Sequence, residues 1–418
     1  MPLSRSFFFA ASTLKIQGLM ASPPASAPLI THTRLLLVVT VLVVAANLRP
    51  AITALGPILD RVGDDAGLSA TSLGLLGALP LLTFGLVSPV VHHLTARFGA
   101  DVAVFGALVV LVAGTLVRSL PGLSAYLWIG TVLLAAAIAV GNVLVPAIVK
   151  RDFPDHVPLM TGLYSATLSG FAALASGIAV PIASAASWRM SLGVWAVLSV
   201  IAASVWSLRL RGQAQRRARN VDEVPAPGSS MWTSSVAWQV ALFMAVQSMN
   251  FYLMITWLPS IEVEHGTSSS AAGWHLFLFQ MSGIVSGLLA GRLLQRTPDQ
   301  RAVGASFTSL MAVAALGLIF APGLTVLWAG VSGFSAGATL VVALTLMSVR
   351  TRTPQSAARL SGMSQSVGYL IAALGPLAAG FVFDQTGSWV PVLAGVAGLA
   401  CIQMTIVLFA GRNRFTHE

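Results

Sequence analysis

Arg49 is the residue on which a function for this chain can first be built. It lies 15 residues beyond Arg34 in an otherwise apolar run, which at about 1.5 Å per residue puts it ~22 Å along a helix. A guanidinium that deep in hydrocarbon costs at least about 2.5–3.5 kcal/mol on insertion scales, and snorkelling from there is difficult. A cation kept at such a depth suits a forked donor aimed at a carboxylate or another small anion. The competing assignment is a structural arginine satisfied by backbone carbonyls of neighbouring helices. Pro50 follows at once, and its missing N–H frees the carbonyl of Ala46 and kinks the run. That carbonyl is either a ligand or the partner of Arg49. Asn47 stands about 200° away around an ideal helix, so the two share a cavity only if the helix is distorted.

Other polar residues inside apolar runs complete the candidate set. Gln247, Asn250, Met254 and Trp257 recur at i, i+3, i+7 and i+10 on one helix face. Amides and an aromatic on one stripe suit a small planar polar solute; interhelical hydrogen bonding, with Trp257 in an aromatic belt, is the alternative. Gln365 and Tyr369 are i, i+4 neighbours, and Asn142 shares a face with Pro146. Tyr164 and Gln280 each lie within a run, and His275, about 140° from Gln280, is the candidate for coupling transport to protons. The numerous Gly and Ala residues are read as close-packing positions.

Several chemistries are not called for. His92-His93 is a weak metal signal without further ligands, and the single cysteine, Cys401, excludes an intrachain disulfide or a cysteine cluster. No Walker A sequence, nucleophile elbow, HExxH or dinucleotide fingerprint occurs. Neither catalysis nor a cofactor is therefore expected. No carboxylate sits mid-run, the nearest being Asp60 and Asp384 at run ends, so an acidic proton relay is not expected either.

The elements that position these residues follow from composition. Of 418 residues, 56% are hydrophobic and only 9% charged, with mean hydropathy +0.84; a soluble domain carries roughly 25% charged residues. The solvent must be lipid. Continuous apolar runs, rather than ~10-residue alternating segments, point to helices and not to a barrel. They fall at 35–59, 70–91, 102–118, 124–149, 158–182, 189–208, 236–259, 270–291, 302–320, 323–349, 358–383 and 389–410. The expectation is an all-α membrane protein of twelve transmembrane helices. With the N-terminus inside, the inner segments hold 19 Lys and Arg, and the outer segments hold Arg61, Arg118 and Arg189. That asymmetry places both termini in the cytoplasm. It also accounts for the net charge of +10 without a nucleic-acid partner.

A repeat at an offset of about 200 residues divides the chain. Lys150-Arg151 and Pro154 face Arg350, Arg352 and Pro354; Thr161-Gly162-Leu163 faces Ser361-Gly362-Met363; Trp188 faces Trp389; Gly67-Leu68-Ser69 faces Gly266-Thr267-Ser268. Two parallel six-span repeats describe the major-facilitator architecture, with a substrate cavity between the halves near the bilayer midplane. The segments are a disordered cytoplasmic tail at 1–33, a six-helix bundle at 34–208, a cytoplasmic linker at 209–235, a second bundle at 236–411 and a short tail at 412–418. A start at Met20 is the other reading of the first segment, and a cleaved signal peptide is disfavoured.

Several blocks resemble the cyanate and nitroimidazole transporter family (CynX/NimT) of the major facilitator superfamily. They are Asn47-Leu48-Arg49-Pro50-Ala51-Ile52 with Leu55-Gly56-Pro57; Gly141-Asn142-Val143-Leu144-Val145-Pro146 leading to Lys150-Arg151-Asp152-Phe153-Pro154; Phe251-Tyr252 with Thr256-Trp257-Leu258-Pro259; and Gly362-Met363-Ser364-Gln365-Ser366-Val367-Gly368-Tyr369 with Gly375-Pro376. The resemblance spans nearly everything after residue 34. It implies a secondary transporter of small polar or anionic solutes in the plasma membrane, expected as a monomer. One departure is the loop motif Gly-x-Leu-x-Asp-Arg-x-Gly between spans two and three, where Ala96 replaces the acid on which a charge relay is built. Efflux of neutral aromatic compounds is the competing transport reading. A receptor without transport and a membrane enzyme are remote, for want of a soluble signalling domain and of a catalytic cluster.

Overall fold

A backbone without water must satisfy its own hydrogen bonds, and in this chain every long apolar run does so as a helix. The structure, a computed structural model, describes residues 32–213, 231–297 and 299–416. Residues 1–31 of the expected tail and 214–230 of the expected linker lie outside the described residues. Twelve helices are long and apolar enough to cross a membrane. They are α1 (Leu35–Ala66), α2 (Ala70–Val91), α3 (Ala100–Arg118), α4 (Ala125–Asp152), α5 (Leu159–Ala185), α6 (Trp188–Leu210), α7 (Ser235–Glu264), α8 (Ser269–Gln295), α9 (Arg301–Phe320), α10 (Pro322–Val349), α11 (Arg359–Thr386) and α12 (Val390–Ala410). No strand occurs among the described residues. An even number of crossings leaves both chain ends on one side, here called the terminal end; the opposite side is the far end.

Helix pairing repeats six spans on. In the first half α1 packs on α5 and α6, α2 on α4, and α3 on α4 and α6. In the second, α7 packs on α11 and α12, α8 on α10, and α9 on α10 and α12. The cross-half pairs, α2 with α11 and α5 with α8, are exchanged by the same six-span shift. The turns match as well. Gly67 and Gly266 both take positive φ, 64° and 90°, which only glycine adopts cheaply. Each is followed two residues later by a serine, Ser69 or Ser268, whose side chain caps the next helix. Small residues let backbones meet within a half: a Cβ on Gly333 or Gly337 of α10 would strike the carbonyl oxygens of Phe279 or Gly283 of α8.

The far end is held shut by main chain. A Cβ on Gly56 of α1 would strike the Ile255 carbonyl oxygen of α7; one on Gly74 of α2, that of Pro376; one on Gly380 of α11, that of Ala70. Asp384 of α11 also reaches across to the start of α2, where it accepts from the backbone N–H of Ala70 (3.0 Å) and Thr71 (2.7 Å) and from the Thr71 hydroxyl (2.5 Å). A carboxylate at a helix N-terminus is favourably placed for both hydrogen bonding and the helix dipole. Ser260 donates to Asp60 Oδ1 at 2.8 Å beside it. Toward the terminal end, by contrast, Thr161, Gly162 and Leu163 of α5 are exposed, and nothing stands within 4 Å of a Cβ built on Gly162 or Gly362.

Charged residues add to the sequence reading at three places. Arg118, counted as an outer-loop residue, is the last residue of helix α3 and only 2% exposed. Glu262, two residues before the end of α7, is fully buried. The acid missing at Ala96 has a counterpart five residues on. Asp101 accepts from Arg151 of α4 (2.8 and 3.1 Å) and from Arg209 of α6 (2.7 Å), and Arg209 also donates to Asp152 (2.6 Å). This network ties the terminal ends of α3, α4 and α6 together.

Candidate functional site

Span α1 is a broken helix, and the break positions Arg49. The helix His32–Asn47 stops, and a short helical turn, Pro50–Thr53, begins. A residue before proline is pushed out of the α region, and Arg49 has φ −123° and ψ −36°. The backbone ladder restarts on the Arg49 carbonyl, which accepts from Ile52 N (2.9 Å) and Thr53 N (3.0 Å). A second interruption at Gly56-Pro57-Ile58 is a 3₁₀ turn. The guanidinium thereby leaves the helix toward the boundary between the halves.

What meets it there is aromatic. Arg49 Nη1 donates to the Tyr252 hydroxyl of α7 at 3.1 Å, and its carbon lies 5.6 Å from the Phe251 ring centre and 5.8 Å from that of Tyr252. Both distances are within cation–π range. Tyr369 of α11 stands edge-on to Tyr252 at 6.4 Å, and Phe84 of α2 edge-on to Tyr369 at 5.7 Å. Tyr164 of α5 lies within electrostatic reach of Arg49 and Tyr369. Three of the chain's four tyrosines, drawn from both halves, thus lie in the neighbourhood of one arginine, with Tyr252 in direct contact with it. Among the described residues no carboxylate pairs with Arg49, and the one hydrogen bond of its guanidinium is to Tyr252. The backbone-carbonyl alternative for this arginine finds no such bond among the described residues.

The remaining candidates divide. Gln365 is half-buried one turn before Tyr369, its amide donating to Ser361 Oγ at 2.9 Å. Asn142 is half-buried in α4 beside Gly141, which faces the Leu48 side chain, next to Arg49 in sequence. Gln280 is buried in α8 next to Phe279, whose ring lies 5.9 Å from that of Phe251. Asn47 is instead turned into its own half, donating to Val43 O and Leu198 O and accepting from Ser199 Oγ. The helical distortion at Arg49 does not bring it round.

The α7 stripe exists but faces the interior of the second half. Gln247 donates to Ala336 O of α10 at 3.4 Å, Asn250 to Gln403 of α12 at 3.3 Å, and Trp257 to Pro376 O of α11 at 2.9 Å. In lipid, a polar side chain is satisfied by a neighbouring helix as readily as by a solute. The face that meets Arg49 carries Phe251 and Tyr252, which polarity alone does not single out; the signal was their place in a block shared with a transporter family. His275 meets Glu262 at 2.7 Å, away from the tyrosines, with Glu262 Oε1 lacking a partner among the described residues. The described residues contain no group of three or more His, Cys, Asp or Glu able to hold a metal.

The geometry is that of one cation shared between two bundles, and comparison with known proteins bears directly on it. The sequence matches the Major Facilitator Superfamily profile over residues 41–376. It is 38% identical over 383 residues to the 2-nitroimidazole transporter of Escherichia coli (strain K12), covering 91% of this chain and 96% of that protein. The chain belongs to the major facilitator superfamily, in its CynX/NimT family. The cyanate transport protein CynX of E. coli K12 is 28% identical over 359 residues, covering 84% of this chain and 91% of CynX. Among solved structures, a D-xylose–proton symporter superposes with TM-score 0.74 at 12% identity, covering 91% of this chain and 98% of that one. That likeness shows the fold alone. As a superfamily member the chain is a multi-pass membrane transporter of a small molecule, which sets aside the receptor reading.

Proposed function

We propose that this transporter carries a small, planar, anionic or nitro-bearing solute across the plasma membrane, and that Arg49 anchors it. The observation that carries the reading is a half-buried guanidinium at the boundary of the halves, in contact with Tyr252 and Phe251, with Tyr164 and Tyr369 nearby, and paired with no carboxylate among the described residues. A fork of N–H donors matches the two oxygens of a carboxylate or nitro group, and the rings offer faces and edges to a flat molecule. Similarity to proteins named for 2-nitroimidazole and cyanate supports that class. Gln365, Asn142 and Gln280 are its further polar contacts.

Transport proceeds by alternating access, with 34–208 and 236–411 as the moving bodies and 209–235 as the cytoplasmic linker. The Lys/Arg asymmetry supports cytoplasmic termini. With that orientation, the closed far end and the exposed terminal half of α5 correspond to an inward-facing state. The His275–Glu262 pair is the proton-coupling candidate.

Counterflow in proteoliposomes with labelled cyanate and 2-nitroimidazole tests the reading. Arg49→Ala should abolish exchange in protein that still inserts and purifies, and Arg49→Lys should lower it more than tenfold. Normal exchange by Arg49→Ala overturns the anchor. A second reading, efflux of neutral aromatic compounds, has one observation in its favour. The far-end vestibule is lined by Asp60, Asp64, Glu264 and Asp384, which repel an anion entering from that side. Resistance of expressing cells to nitroaromatics, without exchange of small anions, would select it.

A further inference from the structure

Arg118 is a buried cation at the boundary of the halves, and it lacks what satisfies the other two buried arginines among the described residues. Arg209 has Asp101 and Asp152; Arg350 donates to Gln300 Oε1 and to the carbonyls of Ala410 and Gly411. Arg118, equally buried at 2% exposure, makes one bond, from Nη1 to the Ala51 carbonyl at 2.7 Å, and its Nε and Nη2 have no protein partner among the described residues. No carboxylate pairs with it among those residues. An unpaired charge taken out of water is costly unless something compensates it.

A small cavity adjoins it, lined by Arg118 with Ala51, Gly56, Pro80, Thr131 and Thr256 among others. Its room is about that of one water molecule. The Thr131 hydroxyl proton is committed to Leu127 O at 2.7 Å, whereas no bond commits that of Thr256. The donors available to an occupant are Arg118 Nε and Nη2 and the Thr256 hydroxyl. A carboxylate or a triatomic anion is too large for the space. We propose that Arg118 and Thr256 form a second anion site, distinct from Arg49, that takes a monatomic halide such as chloride. A chloride ion is larger than a water and needs the lining to widen slightly, but it supplies the missing charge, whereas a water supplies hydrogen bonds only. Because Ile255 and Thr256 come from the second half and the rest of the lining from the first, the site is complete only while the far end is closed. Halide binding therefore holds that state.

The test uses purified full-length protein without solute. Thermal unfolding is followed in chloride, bromide and gluconate at constant ionic strength. The midpoint should rise by about 2–4 °C in either halide relative to gluconate and saturate. Arg118→Gln should lose the rise, and Thr256→Val should need several-fold more halide. Arg49→Ala should keep the rise, which separates this site from the proposed solute anchor. Should Arg118→Gln fail to fold, crystals of the unaltered protein grown in bromide decide: an anomalous peak beside Arg118 upholds the site. Equal midpoints in chloride and gluconate, a rise retained by Arg118→Gln, or no anomalous signal beside Arg118 would each overturn it in favour of a bound water.

Discussion

Arg49 Nη1 lies 3.1 Å from the Tyr252 hydroxyl, so the cation of the first half is held by the second. In the proposed reading the contact is where the solute and the boundary between the halves meet. Removing the hydroxyl alone should be informative. In Tyr252→Phe the ring still packs, and one hydrogen bond to a charged group is lost, worth about 1.5–3 kcal/mol at most and less if the solute replaces it. The expected outcome is a KM raised roughly 3- to 30-fold with little change in protein abundance, read from initial rates of labelled-solute exchange. An unchanged KM would separate Tyr252 from the solute.

The far-end seal predicts a conformational phenotype. Gly56→Ala places a methyl against the Ile255 carbonyl oxygen, and overpacking of that kind costs about 1–3 kcal/mol. Asp384→Asn weakens an exposed cap, worth roughly 0.5–1 kcal/mol after solvent screening. Both should shift the resting population toward far-end opening, Gly56→Ala more strongly. Spin labels on α2 and α11, in a Cys401→Ser background, measure it as a lengthening of the cross-half distance.

Coupling has its own test. His275 and Glu262 are 2.7 Å apart, and imidazole is the side chain that titrates between about pH 5 and 8. Glu262→Gln removes the carboxylate without changing shape. If the pair carries the coupled proton, net uptake driven by a pH gradient should disappear while solute counterflow continues. Loss of both would make the pair structural.

The network at the terminal ends of α3, α4 and α6 predicts a stability effect without a transport phenotype of its own. Asp101→Asn leaves Arg209 and Arg151 facing a neutral amide, and breaking a buried ion pair costs about 3–5 kcal/mol. Folded yield should fall sharply. Protein that survives should bind solute with unchanged affinity.

The twelve spans and their repeat were legible because lipid leaves a chain few choices: a run that is apolar and uninterrupted must become a helix. Arg49 was legible for the same reason, since a lone charge in such a run is expensive and easily seen. The direction of polar side chains was not. Asn47, Gln247 and Asn250 are as conspicuous as Gln365 in a sequence, yet they spend their amides on Leu198, Ala336 and Gln403. Helical periodicity gives the face; it does not say which neighbour that face meets. Tyr252 was overlooked as a site residue because an aromatic in an apolar run carries no contrast. Arg118 was misplaced because a basic residue at a run's end is counted as solvated until its burial is known.

The glycines at the far end carry one more consequence. Where Gly56, Gly74 and Gly380 press against carbonyl oxygens, the barrier to leakage is peptide backbone instead of interlocking side chains. Parting such surfaces releases almost no rotamer freedom, so little entropy rewards a partial gap. What a gap does expose is bare polar main chain, which only solvent can satisfy. Wetting and separation are therefore one event, and the gate should behave as a latch with two settings.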